Sequence, residues 1–158
     1  MSYITTCPSP LGQLTLTSDG IALTGLWMDT QTIPAADYML QDNLPVFLQT
    51  KAWLVDYFLG NKPDIRTLPL SPAGTPFQQK VWAILMTIPY GETVTYGHIA
   101  KAFSPAMSSQ AMGGAVSRNP ISIIIPCHRV LGVKGQLTGY AGGIQNKAWL
   151  LRHEEETK

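Results

Sequence analysis

Short runs in which apolar and β-branched residues alternate with polar ones open the chain: Tyr3–Thr6, Gln13–Thr17 and Ala22–Met28. A period of two predicts half-buried strands, and Asp19-Gly20 between the second and third predicts a hairpin. After a turn-rich stretch the period lengthens. Leu44, Phe47, Leu48, Val55 and Phe58 recur near a helical spacing, which predicts a helix over Leu44–Leu59 that Gly60 stops. Pro63–Pro76 holds four prolines and a glycine, the composition of a linker. The boundary is set near Ser71, leaving residues 1–71 as a small supporting α/β part and 72–158 as a second domain.

The second part opens with a marked helix start. Thr75 is placed to cap, Pro76 to occupy the first helical position and Gln78 to complete a capping box. Phe77, Val81, Trp82, Leu85 and Met86 then share one face, and Pro89-Tyr90-Gly91 ends the helix. A short helix over Thr95–Phe103, a break at Ser104-Pro105-Ala106-Met107, a cap at Ser108 or Ser109 and a helix over Gln110–Ser117 together suit a helix-turn-helix. Ala111, Gly113, Gly114 and Ala115 leave that last helix almost bare. Each glycine costs about 1 kcal/mol relative to alanine in a helix interior, a cost that close backbone approach offsets. The approaching group is either a neighbouring helix or a nucleic-acid backbone. Ile121–Ile125 reads as a buried strand. The fold class is therefore α+β: a small N-terminal sheet with a helix, then a mostly helical C-terminal domain.

Composition sharpens this. Of 158 residues, 45% are hydrophobic and 13% charged, which excludes disorder for lack of apolar surface. No run of 18 apolar residues marks a membrane span, and Met1–Thr6 lacks the pattern of a signal peptide. Cys7 and Cys127 read as free thiols of a cytoplasmic protein. The net charge of +1 by itself argues against a nucleic-acid partner, but it is unevenly spread. Residues 1–71 carry three cations and six acids, a net of −3; residues 72–158 carry eight cations and four acids, a net of +4. A one-sided basic segment points to a polyanion.

Cys7 has no polar company and reads as a small buried hydrophobe. Cys127 differs. It follows an apolar run and is trailed by His128 and Arg129, a base and a cation of the kind that lower a thiol pKa and raise the nucleophilic thiolate fraction. Glycines on either side, Gly113-Gly114 and Gly139–Gly143, allow a substrate close approach. The other candidate metal ligands, Cys7, His98 and His153, show no ligand spacing with it. Nucleophilic chemistry is the reading, with a Cys–His hydrolase as an open alternative.

Ile125-Pro126-Cys127-His128-Arg129-Val130 resembles the active-site motif of the O6-alkylguanine-DNA alkyltransferases, the methylated-DNA–protein-cysteine methyltransferases. Phe77-Gln78-x-x-Val81-Trp82, Ile88–Thr93, Thr95-Tyr96-Gly97, Asn119-Pro120, Thr138–Gly143 and Lys147-x-x-Leu150-Leu151 follow in that family's order. The resemblance covers residues 75–156, and 1–70 only loosely, through Ser9-Pro10-Leu11-Gly12 and the strand-then-helix pattern. It implies direct-reversal DNA repair without a cofactor. Cys127 takes the alkyl group from O6-alkylguanine, and from O4-alkylthymine, irreversibly and once. His128 takes the thiol proton through a water, Glu154 orients His128, Asn119 braces the cysteine turn, and Tyr96 donates a proton to the departing base. The main-chain carbonyls of Cys127 and Val130 receive the guanine amine, with Pro126, Tyr140 and Ala141 as further substrate-site residues. A flipped base and minor-groove binding to double-stranded DNA are implied, through Tyr96, Gln110, Ala111, Gly113, Gly114, Arg118 and Arg129. The protein acts as a monomer, with cooperativity on DNA left open. A related non-enzymatic class, the alkyltransferase-like sensors, lacks the cysteine.

One position departs from the pattern. Gln110 stands where the family has an arginine that enters the base stack. Glutamine still offers hydrogen bonds to the orphaned base, but it is shorter and uncharged.

Overall fold

The three alternating runs at the start of the chain pair into one sheet. Strand β1 (Ser2–Cys7) lies antiparallel to β2 (Leu14–Ser18), which lies antiparallel to β3 (Leu23–Trp27). The computed structural model describes all residues, 1–158. The hairpin forms around a four-residue loop, Asp19–Ala22, whose Ile21 and Ala22 amides both donate to Asp19 Oδ1 while Gly20 takes φ 105°. The unpredicted strand β4 (Tyr38–Leu40) pairs parallel with β1 and gives the order β3-β2-β1-β4. Central β2 is buried on both faces. Leu14 and Leu16 alternate with Thr15 and Thr17, and Trp27 Nε1 donates to Thr17 Oγ1 at 3.3 Å.

Helix α1 (Pro45–Phe58) packs on β2 and β3. Its end is a Schellman motif: Gly60 N–H donates to Tyr57 O and Asn61 N–H to Asp56 O, with Gly60 at φ 82°. The buried face differs from the expected one. Val46, Phe47, Thr50, Trp53, Leu54 and Tyr57 are inside, whereas Leu48 and Val55 are 51% and 59% exposed. The aromatic residues Trp53 and Tyr57, stacked at 5.6 Å, define the stripe that the aliphatic residues alone misplaced. The proline-rich stretch is also more than a linker. Leu23 N–H donates to Pro69 O and Ser71 N–H to Leu23 O, both at 2.8 Å, so this segment borders β3.

Two compact units divide between Ala73 and Gly74, and the first also includes Pro120–Ser122. There Leu26 N–H donates to Pro120 O at 2.9 Å, and Ile121 forms a single bridge with Leu26. The expected strand over Ile121–Ile125 does not form. All five residues are buried, but the backbone turns, and Ile123 takes φ 72°. A β-branched side chain in the left-handed region is strained, and the surrounding burial must hold it there.

The second unit contains helices α2 (Pro76–Leu85), α3 (Tyr96–Phe103), α4 (Ser109–Ser117) and α5 (Ile144–Thr157). A two-residue parallel pair, β5 (Val94–Thr95) with β6 (Val130–Leu131), joins them. The capping box on α2 is complete, with Thr75 Oγ1 accepting from Gln78 N and Gln78 Oε1 from Thr75 N. Thr95 caps α3 and Ser108 caps α4. Both α2 and α3 pack against α4 over Val81, Trp82, Leu85, Ile99, Met112 and Val116, and Trp82 Nε1 donates to Ala115 O at 3.0 Å. Neither α5 nor the β5–β6 pair was anticipated as an element. No helix is long and apolar enough to cross a membrane.

Candidate active site

The cysteine sits on a sharp turn. Pro126 (φ −82°, ψ 62°) closes an inverse γ-turn in which Cys127 N–H donates to Ile125 O at 2.8 Å. A single 3₁₀ turn, Cys127–Arg129, follows, with Val130 N–H donating to Cys127 O. Asn119, just after α4, braces both ends of this turn. Its Nδ2 donates to Ile125 O at 2.8 Å and to Cys127 Sγ at 3.2 Å. Only 5% of Cys127 is exposed. Burial pushes the thiol up to about 11, against the opposing pull of the Asn119 hydrogen bond and the Lys147 charge. The expected lowering of this pKa is therefore overturned by desolvation: the resting group is a thiol, and it needs a base.

His128, next in the chain, is fully buried. Its Nε2 lies 2.6 Å from Glu154 Oε2. Burial lowers the imidazole pKa, overriding the pull of Glu154, so the ring is neutral. A carboxylate only accepts, so Nε2 carries the proton and Nδ1 keeps a lone pair. No protein atom hydrogen-bonds Nδ1.

Glu154, on α5, is a hub. Arg129 Nε donates to Oε1 at 2.8 Å, Arg129 Nη2 to Oε2 at 3.1 Å, and Gly91 N–H to Oε1 at 3.1 Å. Gly91 reaches this position because φ 78° follows Tyr90 in a turn closed by Glu92 N–H to Pro89 O. Burial alone would push the Glu154 carboxyl up. The hydrogen bond from His128 and the hydrogen bonds and charge of Arg129 overcome it and hold the group well below the usual carboxylate range. Arg129 also donates from Nη1 to Ile88 O at 2.6 Å and lies 5.6 Å from the Tyr90 ring centre. The DNA contact expected of Arg129 is corrected accordingly. Its guanidinium is spent inside the protein, where it fixes Glu154.

Lys147, which the sequence presents only as part of the Lys147-x-x-Leu150-Leu151 motif, is a buried part of the site. From α5 its Nζ donates to Val130 O at 2.5 Å and to Thr138 O at 2.9 Å, and it lies 5.8 Å from the Tyr96 ring centre. The clue in the sequence was a lysine one helical turn before Leu150 and Leu151, on a helix that was not recognised. The two carbonyls expected to receive a guanine amine thus each hold one donor already: Val130 N–H on Cys127 O and Lys147 on Val130 O. A carbonyl's second lone pair remains.

Tyr96, first in α3, donates its hydroxyl to Thr138 O at 3.2 Å, and burial raises its pKa, so it holds its proton. A cavity of about 610 Å³ lies over it, lined by Tyr96, Gly97, Gln110, Gly113 and Gly114 and by Val133, Thr138 and Gly139 from the loop after β6, among others. Ala111 and Arg118 are exposed on and after α4, Ala141 is exposed, and Pro126, Val130 and Tyr140 are buried. Inside the molecule, nothing demands bare glycines on α4. A Cβ on Gly114 would meet open space, and one on Gly113 would meet the Tyr96 ring at an ordinary 3.7 Å. The neighbouring helices therefore do not by themselves require the two glycines.

Comparisons with known proteins agree with this chemistry. The model of the 6-O-methylguanine DNA methyltransferase DNA-binding domain matches residues 76–156, and that of the 6-O-methylguanine DNA methyltransferase ribonuclease-like domain matches residues 2–72. A methylated-DNA–protein-cysteine methyltransferase of Haemophilus influenzae is 44% identical over 154 residues, 97% of this chain and 86% of that one. One from Mycobacterium leprae is 44% identical over 156 residues, 98% of this chain and 93% of the relative. The crystal structure of Mycobacterium tuberculosis OGT in complex with DNA superposes with a TM-score of 0.88 at 42% identity, covering 98% of this chain and 94% of that one. The chain belongs to the methylated-DNA–protein-cysteine methyltransferase family.

Proposed function

We propose that the protein repairs DNA by direct reversal, moving an alkyl group from O6 of guanine, and from O4 of thymine, onto Cys127. The observation that carries this is the buried Cys127 thiol held by Asn119 next to a neutral His128 whose proton faces Glu154. The thiol proton passes through a water to His128 Nδ1. The sulfur then forms a bond to the alkyl carbon as the carbon–oxygen bond breaks, and the electron pair leaves with guanine. Tyr96 protonates the departing base and is reprotonated from the imidazolium through solvent. The thioether is stable, so each molecule acts once.

In this reading α3 and α4 form a helix-turn-helix, and α4 enters the minor groove of double-stranded DNA. That groove is about 6 Å wide, which suits a helix bare at Ala111, Gly113 and Gly114. Arg118 adds a phosphate contact, and Tyr140 and Ala141 wall the flipped base. Two free cysteines fit a reduced cytoplasm, and the protein acts as a monomer. Incubation with O6-methylguanine duplex DNA followed by intact-mass measurement tests the reading. A single gain of about 14 Da, lost in Cys127→Ala, is expected. Tight binding with unchanged mass would identify a lesion sensor, and repeated turnover on an ester would identify a hydrolase.

Gln110, exposed at the start of α4 on the cavity wall, brings no charge to the displaced base's place. Gln110→Arg is expected to speed transfer on duplex DNA severalfold and to steepen the salt dependence of binding by about one unit of slope. Stopped-time mass measurements on duplex substrate check this; no gain, or a loss, removes the idea.

A further inference from the structure

The turn Pro89-Tyr90-Gly91 meets the last turn of α5 through a chain of hydroxyls. Tyr90 Oη and Thr157 Oγ1 lie 2.5 Å apart, and Thr157 Oγ1 donates to His153 O at 2.7 Å. A hydroxyl has one proton to give. Thr157 gives its proton to His153, so Tyr90 is the donor of the first bond. The chain therefore runs one way and ends on the peptide group that joins His153 to Glu154. Beside it, Gly91 N–H donates to Glu154 Oε1 at 3.1 Å. A Cβ on Gly91 would fall 2.8 Å from Lys158 Cβ, and φ is 78° there, so glycine is what lets α5 close on this turn.

Glu154 is thus held at both ends by neighbouring residues of one turn. The Gly91 amide holds the carboxylate, and the hydroxyl of Tyr90, through Thr157, holds the backbone from which the side chain springs. The Tyr90 ring also lies 5.6 Å from the Arg129 guanidinium, which binds both carboxylate oxygens. Phenylalanine would keep that ring in place, so packing does not account for the hydroxyl. What needs it is the 2.6 Å bond between Glu154 Oε2 and His128 Nε2. A bond that short survives only if the helix carrying the glutamate is fixed to within about 0.5 Å.

We propose that Tyr90 is a positioning residue for the transfer. Its hydroxyl, acting through Thr157, sets the last turn of α5 so that Glu154 meets His128 at hydrogen-bonding distance. Tyr90 touches neither the sulfur nor the alkyl carbon. Its effect on transfer rests on the repair reading above, whereas its effect on the Glu154–His128 bond does not.

The test uses the full-length protein and two readouts: the proton resonance of His128 Nε2–H, and the rate of methyl transfer from O6-methylguanine duplex by mass. Tyr90→Phe keeps the ring and removes the donor; Thr157→Val keeps the shape and removes the acceptor. An imidazole N–H held at 2.6 Å resonates far downfield, and in both variants it is expected to move upfield as the bond lengthens. Transfer is expected to slow severalfold in each. The double variant should lose no more than the worse single one, because all three break the same bond. A Tyr90→Phe protein with the wild-type resonance and rate overturns the proposal, even if its urea midpoint falls, since only a structural role would then remain. Losses that add in the double variant overturn the one-way chain. A resonance that moves with no change in rate removes the part in transfer. A wild-type protein that gains no methyl, with the resonance still moved in both variants, overturns the repair reading and leaves the positioning of Glu154 standing.

Discussion

Replacing Glu154 by alanine is expected to lower the unfolding free energy by about 3–5 kcal/mol, because it strands a charged partner in the interior. Arg129 would lose two of its three hydrogen bonds while remaining buried, and the Gly91 amide would lose its acceptor. His128 would lose the group that fixes its tautomer, so the proton could settle on Nδ1 and block it as a base. Urea unfolding reads the first effect as a lower midpoint at unchanged slope. Glu154→Gln separates the two roles. It fills the same space and still accepts from Arg129, but its amide cannot accept both Arg129 and the imidazole as the carboxylate does. Transfer should then fall further than stability. An alanine variant within 1 kcal/mol of wild type would show that the hub is solvated and that its burial has been misjudged.

The same hub sets the acid response. His128 has a folded pKa below its ordinary 6.5, so the unfolded chain takes up that proton first and stability falls as pH drops below about 6.5. Glu154, also depressed in the folded state, adds to the loss once pH falls below its ordinary 4.5. Both shifts have the same sign, so the protein should be progressively acid-labile rather than show an optimum on the acid side.

What was legible in the sequence and what was not have physical causes. Local signals carried through: Thr75, Pro76 and Gln78 act within four residues of one another, and each forms the contact its type predicts. The cysteine motif was readable because Pro126, Cys127, His128 and Arg129 are contiguous. Features set by distant partners were not readable. Ile121–Ile125 has the composition of a strand, but most of it lacks a neighbouring strand, and burial alone shapes it into a turn around Ile123. Arg129 looks like a surface cation until Glu154, 25 residues away, is brought against it. The direction of the Cys127 shift failed for a related reason: neighbours in sequence suggested charge, while the depth of the pocket decided the sign.

Lys147→Met is expected to slow methyl transfer by about tenfold or more, because each further unit of thiol pKa divides the thiolate available to the alkyl carbon by ten. Burial already holds Cys127 near 11, and Lys147 is the positive charge that opposes it. Methionine matches the lysine stem but leaves Val130 O and Thr138 O without their ammonium donor, a loss of roughly 1–3 kcal/mol for a buried acceptor. The pH profile distinguishes the electrostatic role from the structural one. When His128 receives the proton, the rate rises as pH climbs through that group's depressed value and then levels, since thiol and base exchange one proton between them. Its acid limb belongs to His128 and should move to higher pH, because the Lys147 charge also lowers the imidazole pKa, while the plateau drops to the extent that the thiol pKa rises more than that of the imidazole. Lys147→Arg keeps the charge but offers a planar fork to two carbonyls that a compact ammonium bridges, so an intermediate plateau is expected. A Lys147→Met protein that is folded at the assay temperature and shows both the wild-type plateau and the wild-type acid limb would mean that the lysine only ties Val130 to Thr138 and that the charge on α5 has no part in the reactivity of Cys127.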